Sequence, residues 1–274
     1  MTTWLITGIS RGIGKALAQA ALARGDTVVG TVRGDAPGIE PRRDKLHVLN
    51  LEIGDPHAIE RVVAEAFDRV GRIDSVVNNA GYGLLGPIEF VTDAELARLF
   101  DVNVFGPFRL IRSVLPRFRA QNGGHIVNIT SIAGRAPMAG SGAYAAAKSA
   151  MESLSAALLQ EVGPLGIKVT AVAPGAFRTD FLSDHSIRRS HRRSEAYAAS
   201  VGPALDRLDE HAGKQIGDPA RAAAAILAAV DAPEPPLHLL LGPDALRRTR
   251  EKLDAVIDEM DRWEVVTRST SFAP

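Results

Sequence analysis

Apolar runs and helical repeats alternate along nearly the whole of this 274-residue chain. β-Rich apolar stretches near 3–7, 26–32, 45–51, 73–79, 124–130, 167–173 and 237–241 read as strands. Their nearly unbroken apolar character fits a parallel sheet covered on both faces. Between them, helical patterns fall near 12–24, 56–70, 93–102, 104–120, 143–162 and 218–230. This order predicts one α/β domain over 1–274, a doubly wound parallel sheet of about seven strands flanked by helices. Where strand order reverses in such a sheet, a crevice opens at the carboxyl ends of the strands, and a ligand is expected there.

Two stretches lie outside that alternation. Residues 183–216 are unusually polar and include Arg188, Arg189, Arg192 and Arg193. They form a lid candidate, and the charge run reads first as a solvated helix face, with steering of an anionic substrate as the alternative. After the last strand, 244–263 carries Leu246, Leu253, Val256, Ile257 and Met260 at helical spacing with charges between them. This amphipathic C-terminal helix is expected to pack on its own chain, over the sheet edge or the pocket; docking to a partner helix is the less common fate.

Composition narrows the function classes. A 46% hydrophobic chain of this length can bury a sizeable core, and nothing marks a second domain. There is no cysteine, which removes disulfides and thiol-based redox or metal chemistry. His185 and His191 are too far apart for a local metal pair, so no metal is expected. Lys and Arg balance Asp and Glu at 32 each, leaving no global electrostatic reason for a nucleic-acid partner. With neither a signal segment nor a membrane span evident, a soluble cytoplasmic protein is the expectation.

Candidate chemistry sits at the predicted strand ends. Thr2–Ile6 runs into Thr7-Gly8-Ile9-Ser10-Arg11-Gly12-Ile13-Gly14 and then an Ala/Leu-rich helix. Strand, glycine turn and helix make a dinucleotide-binding layout: Gly8 for the tight turn, Gly12 for close approach to a pyrophosphate, Gly14 for helix-to-strand packing. Farther on, Tyr144 and Lys148 stand four apart, a spacing that stacks both on one helix face. A phenol transfers protons poorly at neutral pH, and a neighbouring cation is expected to lower its pKa.

With Asn78-Asn79-Ala80-Gly81, Asn103-Val104-Phe105-Gly106, Ser131 and Pro174-Gly175 in order, the chain resembles the short-chain dehydrogenase/reductase family over nearly its whole length. Ser131 lies thirteen residues, and Asn103 forty-one residues, before Tyr144. The resemblance implies a Rossmann-type fold and hydride transfer between a nicotinamide and a ketone or secondary alcohol. It implies Tyr144 as general acid/base, Lys148 as tuner of Tyr144 and ribose ligand, Ser131 holding the substrate oxygen, and Asn103 disturbing its helix to hold a water. It places Asn79, Ala80 and Gly81 against the cofactor ribose, chiefly through backbone, with Asn78 bracing the sheet. It puts Pro174, Gly175, Phe177 and Thr179 at the nicotinamide carboxamide. Gly8, Ser10, Arg11, Gly12, Ile13 and Gly14 complete the cofactor set with Arg33, Glu52 and Ile53. Glu52 departs from the family's usual Asp, so its contact with adenine has a longer reach.

Cofactor choice is read at Val28-Val29-Gly30-Thr31-Val32-Arg33, which ends without an acid. Asp26 comes too early and Asp35 too late, while Arg33 and Arg11 can approach the adenosine ribose. NADP(H) is therefore expected over NAD(H), which stays possible. Mostly apolar walls from 82–90 and 134–141 suggest a hydrophobic small-molecule carbonyl or alcohol. The small-residue faces of the helices carrying Asn103 and Tyr144 are expected, by resemblance, to pair in a homo-dimer or homo-tetramer. A non-catalytic NADP-binding regulator and an isomerase or lyase on the same fold are the alternatives.

Overall fold

The protein is described by a computed structural model at residues 1–34, 38–40, 44–183, 185–190 and 195–272. Seven parallel strands form the central sheet: β1 (Thr3–Ile6), β2 (Thr27–Val32), β3 (Leu46–Asn50), β4 (Ser75–Asn78), β6 (Gly124–Ile129), β7 (Ile167–Pro174) and β9 (His238–Leu241). Their order is β3-β2-β1-β4-β6-β7-β9, so chain order reverses between β1 and β4. The remaining strands, β5 (Gly83–Leu85) and β8 (Ile187–Arg189), pair in parallel as a separate two-stranded sheet.

The helices are α1 (Gly12–Ala23), α2 (Pro56–Val70), α3 (Asp93–Phe100), α4 (Gly106–Ala120), α5 (Gly142–Val162), α6 (Val201–Glu210), α7 (Pro219–Asp231) and α8 (Pro243–Arg268). Local chemistry starts several of them. Asp55 caps α2 by accepting from the His57 and Ala58 amides, with Pro56 at the first helical position, where its missing N–H costs nothing. Thr92 and Glu95 form a reciprocal capping box on α3. Asp218, followed by Pro219, caps α7 by accepting from the Ala220 amide.

Two apolar layers sandwich the sheet. On one side Ile59, Val62 and Phe67 of α2, Leu110, Val114 and Phe118 of α4, and Leu158 and Val162 of α5 pack on Leu5, Val76 and Ile126. On the other, Leu17 and Ala21 of α1 and Ala223 and Ile226 of α7 cover Trp4, Ile6, Val28 and Val127. Asp26, too early for the cofactor, is buried as a brace, accepting from the Trp4 indole at 2.9 Å and the Thr2 amide at 2.9 Å.

Two expectations need correction. Arg188 and Arg189 do not lie on a helix face: both belong to β8. Arg188 stands over the Tyr82 ring at 5.7 Å, and Arg189 pairs with Asp209 of α6. His191, Arg192, Arg193 and Asp35 lie outside the described residues. The C-terminal helix does not pack along its length on its own chain either. Only Ala245 and Thr249 are buried, whereas Leu246, Leu253, Ile257 and Met260 are exposed. Its 26 residues span about 39 Å, while four-residue β9, on whose edge it docks, spans only about 13 Å. No described helix is long and apolar enough to cross a membrane.

Candidate active site

A cleft of about 830 Å³ opens at the carboxyl ends of the strands, at the point where strand order reverses. Its floor begins at the glycine turn. Gly8 and Gly12 have φ of +74° and +59°, a region that side chains with a Cβ rarely enter. A Cβ on Gly14 would stand 2.3 Å from Asn79 Nδ2 and 2.4 Å from the Gly8 carbonyl oxygen, so only glycine lets α1 start this close. Asn79 Nδ2 donates to the Thr7 and Gly8 carbonyls at 2.8 and 3.0 Å. Thr7 Oγ1 in return accepts from the Asn79 and Ala80 amides, both at 3.0 Å. The Asn79 side chain is thus committed to the turn, and the backbone of 79–81 faces the cleft.

Asn78 ties the centre of the sheet together. Its Nδ2 donates to Asn128 Oδ1 at 2.8 Å, Asn128 donates to Ser155 Oγ at 2.8 Å, and Ser155 donates to the Met151 carbonyl at 2.6 Å. This buried chain fixes α5 against β6. Asn103 lies in a π-helical turn, Asp101–Phe105, linking α3 to α4. Pro107 has no N–H to return to the Asn103 carbonyl, which favours the wider turn. The Asn103 amide clasps the Tyr82 backbone, donating to its carbonyl at 2.8 Å and accepting from its N–H at 3.1 Å.

The reactive groups meet where β6 ends against α5. Tyr144 is buried and hydrogen-bonds Ser131. Burial pushes its phenol up to about 12, and the Ser131 bond pulls only partly the other way. Lys148 Nζ donates to the Ile129 carbonyl at 2.8 Å and lies 5.9 Å from the Tyr144 ring centroid. Burial pushes this amine down to about 8, against the opposing attraction of Glu152. Burial thus dominates the Tyr144 phenol, and the opposing influence comes from Ser131.

Every expected site residue except Gly14 and Asn103 lines the cleft. Those two act from behind, the first by admitting α1 and the second by holding Tyr82. Arg33 lies at the mouth beyond β2. Arg11 is differently committed, donating through Nη2 to the His185 carbonyl of the lid segment at 2.9 Å. Glu52 accepts from the Gly54 amide and pairs with Arg98, both at 3.3 Å. The cradle thus fits a dinucleotide: paired positive-φ glycines, a helix start against the turn, and a long cleft ending at a proton donor.

Several residues escaped the sequence reading. Glu152 Oε2 accepts from Arg135 at 2.9 Å, and Thr130 Oγ1 donates to Oε1, placing an acid one helical turn beyond Lys148. Its four-residue spacing from Lys148 was the one available signal. Asp244 and Arg248 of α8 enter the cleft wall, as does buried Gln215. Asp244 Oδ2 accepts from the Ala176 amide at 2.9 Å, and Arg248 donates to the Ala136 carbonyl. Sequence distance conceals all such contacts.

A sequence profile of the short chain dehydrogenase family matches residues 2–189. The oxidoreductase BOA17 of Botryotinia fuckeliana is 32% identical, with 98% of each chain covered. The 3-ketodihydrosphingosine reductase of Bacteroides thetaiotaomicron is 34% identical over 87% of each. Among solved structures, a short-chain dehydrogenase from Streptomyces avermitilis superposes with a TM-score of 0.92 at 43% identity, covering 99% of this chain and 100% of that one.

Proposed function

The chain belongs to the short-chain dehydrogenase/reductase family of oxidoreductases, and from that premise we propose that it interconverts a ketone and a secondary alcohol using NADP(H). The observation that carries this reading is Tyr144, hydrogen-bonded to Ser131 and beside buried Lys148, at the inner end of the dinucleotide cleft. A nicotinamide bound there would supply or accept the hydride. The protein's own task is one proton. Near neutral pH the Tyr144 phenol keeps its hydrogen, which suits donation to a carbonyl oxygen. Ser131 would hold that oxygen and stabilise the charge developing on it. The Lys148 ammonium would hold the nicotinamide ribose, and Asn103, through Tyr82, keeps the loop beside it in place.

Arg33, at the end of β2 with no acid before it, supports a 2′-phosphate ligand and hence NADP(H) over NAD(H). Leu85, Met138, Phe181, Leu182 and Leu208 in the cleft wall support a hydrophobic substrate. The relative named 3-ketodihydrosphingosine reductase supports a keto group as the reacting centre. A cytoplasmic homo-dimer or homo-tetramer completes the proposal, with exposed Phe105, just before α4, and Phe108, on it, available for pairing.

Titration with NADPH and NADH, followed by a carbonyl and alcohol panel read by nicotinamide absorbance, tests the reading. NADPH should bind more tightly, and Arg33→Ala should erase that advantage. Tighter NADH binding would overturn the cofactor choice, and product formation without any absorbance change would overturn the reaction.

A further inference from the structure

The C-terminal two-thirds of α8 leaves the body of the protein with its apolar stripe uncovered. Leu253, Ile257, Met260 and Trp263 are 56%, 53%, 64% and 62% exposed, although they recur at three- and four-residue spacing on one side of the helix. A stripe of this size left in water is costly, at roughly 25 cal/mol for each Å² of apolar surface. The charges around it are sorted along the axis. Residues 247–252 carry Arg247, Arg248, Arg250 and Lys252 against Glu251, a net +3. Residues 254–264 carry Asp254, Asp258, Glu259, Asp261 and Glu264 against Arg262, a net −4.

We propose that α8 pairs antiparallel with α8 of a second copy of this chain. Antiparallel alignment about a midpoint near residue 255 sets each basic half against the other's acidic half. It brings Leu253 level with the second copy's Ile257, Leu246 with its Trp263, Arg250 with its Asp261 and Lys252 with its Glu259. A parallel pair would instead place like charges side by side along the whole contact. A partner of uniform charge would match only one half of the helix, and a second copy matches both. Pairing also has a consequence for the cleft, because Asp244 and Arg248, at the start of the same helix, line its wall. The acidic end of one copy would then lie beside the helix that enters the other's cleft.

The test uses the full chain, which has no native cysteine. Light scattering should show one association step lost in the triple variant Leu253→Glu/Ile257→Glu/Met260→Glu, with circular dichroism and cofactor binding unchanged. An unchanged particle mass in that variant would overturn the proposal. Orientation is read from Leu246→Cys and Trp263→Cys. Their mixture should form an oxidised dimer, while each variant alone should not. Cross-linking of each variant with itself would mean parallel helices, and no cross-linking in the mixture would mean no pairing; either result defeats the idea.

Discussion

Helices α5 and α8 are the two longest in the protein and have opposite fates. The first is rich in small residues and has only a weak apolar bias, yet buries Tyr144, Ala147, Lys148, Met151, Ser155 and Leu158. The second carries the more obvious amphipathic stripe and buries only Ala245 and Thr249. Periodicity thus states that a helix has a face but not what covers it. What makes the difference is the neighbour: α5 lies along β7 and the 3₁₀ turn at Ile132–Gly134 and is tied to β6 through Asn128 and Ser155, whereas α8 outruns the short edge strand β9.

The sharpest way to break this contrast is at the reactive phenol. Tyr144→Phe should lower turnover by roughly 10²–10⁴-fold with cofactor affinity retained, as steady-state kinetics and titration would show. Retained activity would make α5 merely structural. A matched pair of truncations compares burial directly. Leu158→Ala on α5 should cost about 2–5 kcal/mol in urea unfolding, and Ile257→Ala on α8 under about 0.5 kcal/mol in dilute protein. Similar costs would mean that α8 is covered by its own chain.

Smaller effects probe how closely α5 is approached. A Cβ on Gly134 would stand 2.9 Å from the Lys148 carbonyl carbon, and Ser149 already donates to the Gly134 carbonyl at 2.7 Å. Gly134→Ala should therefore push the turn off α5, costing about 1–3 kcal/mol and lowering kcat as Ser131 shifts from Tyr144. The smallest effect is electrostatic. Lys148 is held down to about 8 by burial and pulled up by Glu152. Its ammonium persists below that pH and is lost as pH rises through it, so cofactor affinity should weaken across the same window. Glu152→Gln removes the upward pull and should move the midpoint toward acid, read from cofactor affinity against pH. A midpoint moving toward alkali would refute this account of Lys148.

Much of the fold was legible because its signals are local. Seven apolar runs mark the seven central strands, and six helical patterns mark α1, α2, α3, α4, α5 and α7. The short pair β5 and β8 was not legible, since three residues carry no measurable period and the two strands are about a hundred positions apart in sequence. In the candidate site, the order and spacing of Gly8, Asn79, Ser131, Tyr144 and Lys148 pointed to residues that all line one cleft. The commitments of Arg11 to the His185 carbonyl and of Glu152 to Arg135 could not be read, because side-chain partners are set by which loops meet in space.

By itself the sequence determined the alternation of strand and helix, the glycine turn and the four-residue spacing of phenol and amine, since these depend on backbone preference and period. Only the tertiary structure decided the direction in which burial shifts that pair. Burial around Tyr144 and Lys148 moves the phenol up and the amine down, opposite to what two adjacent side chains in water would suggest. The cause is desolvation, which depends on how completely α5, β6 and the loops close around the two groups.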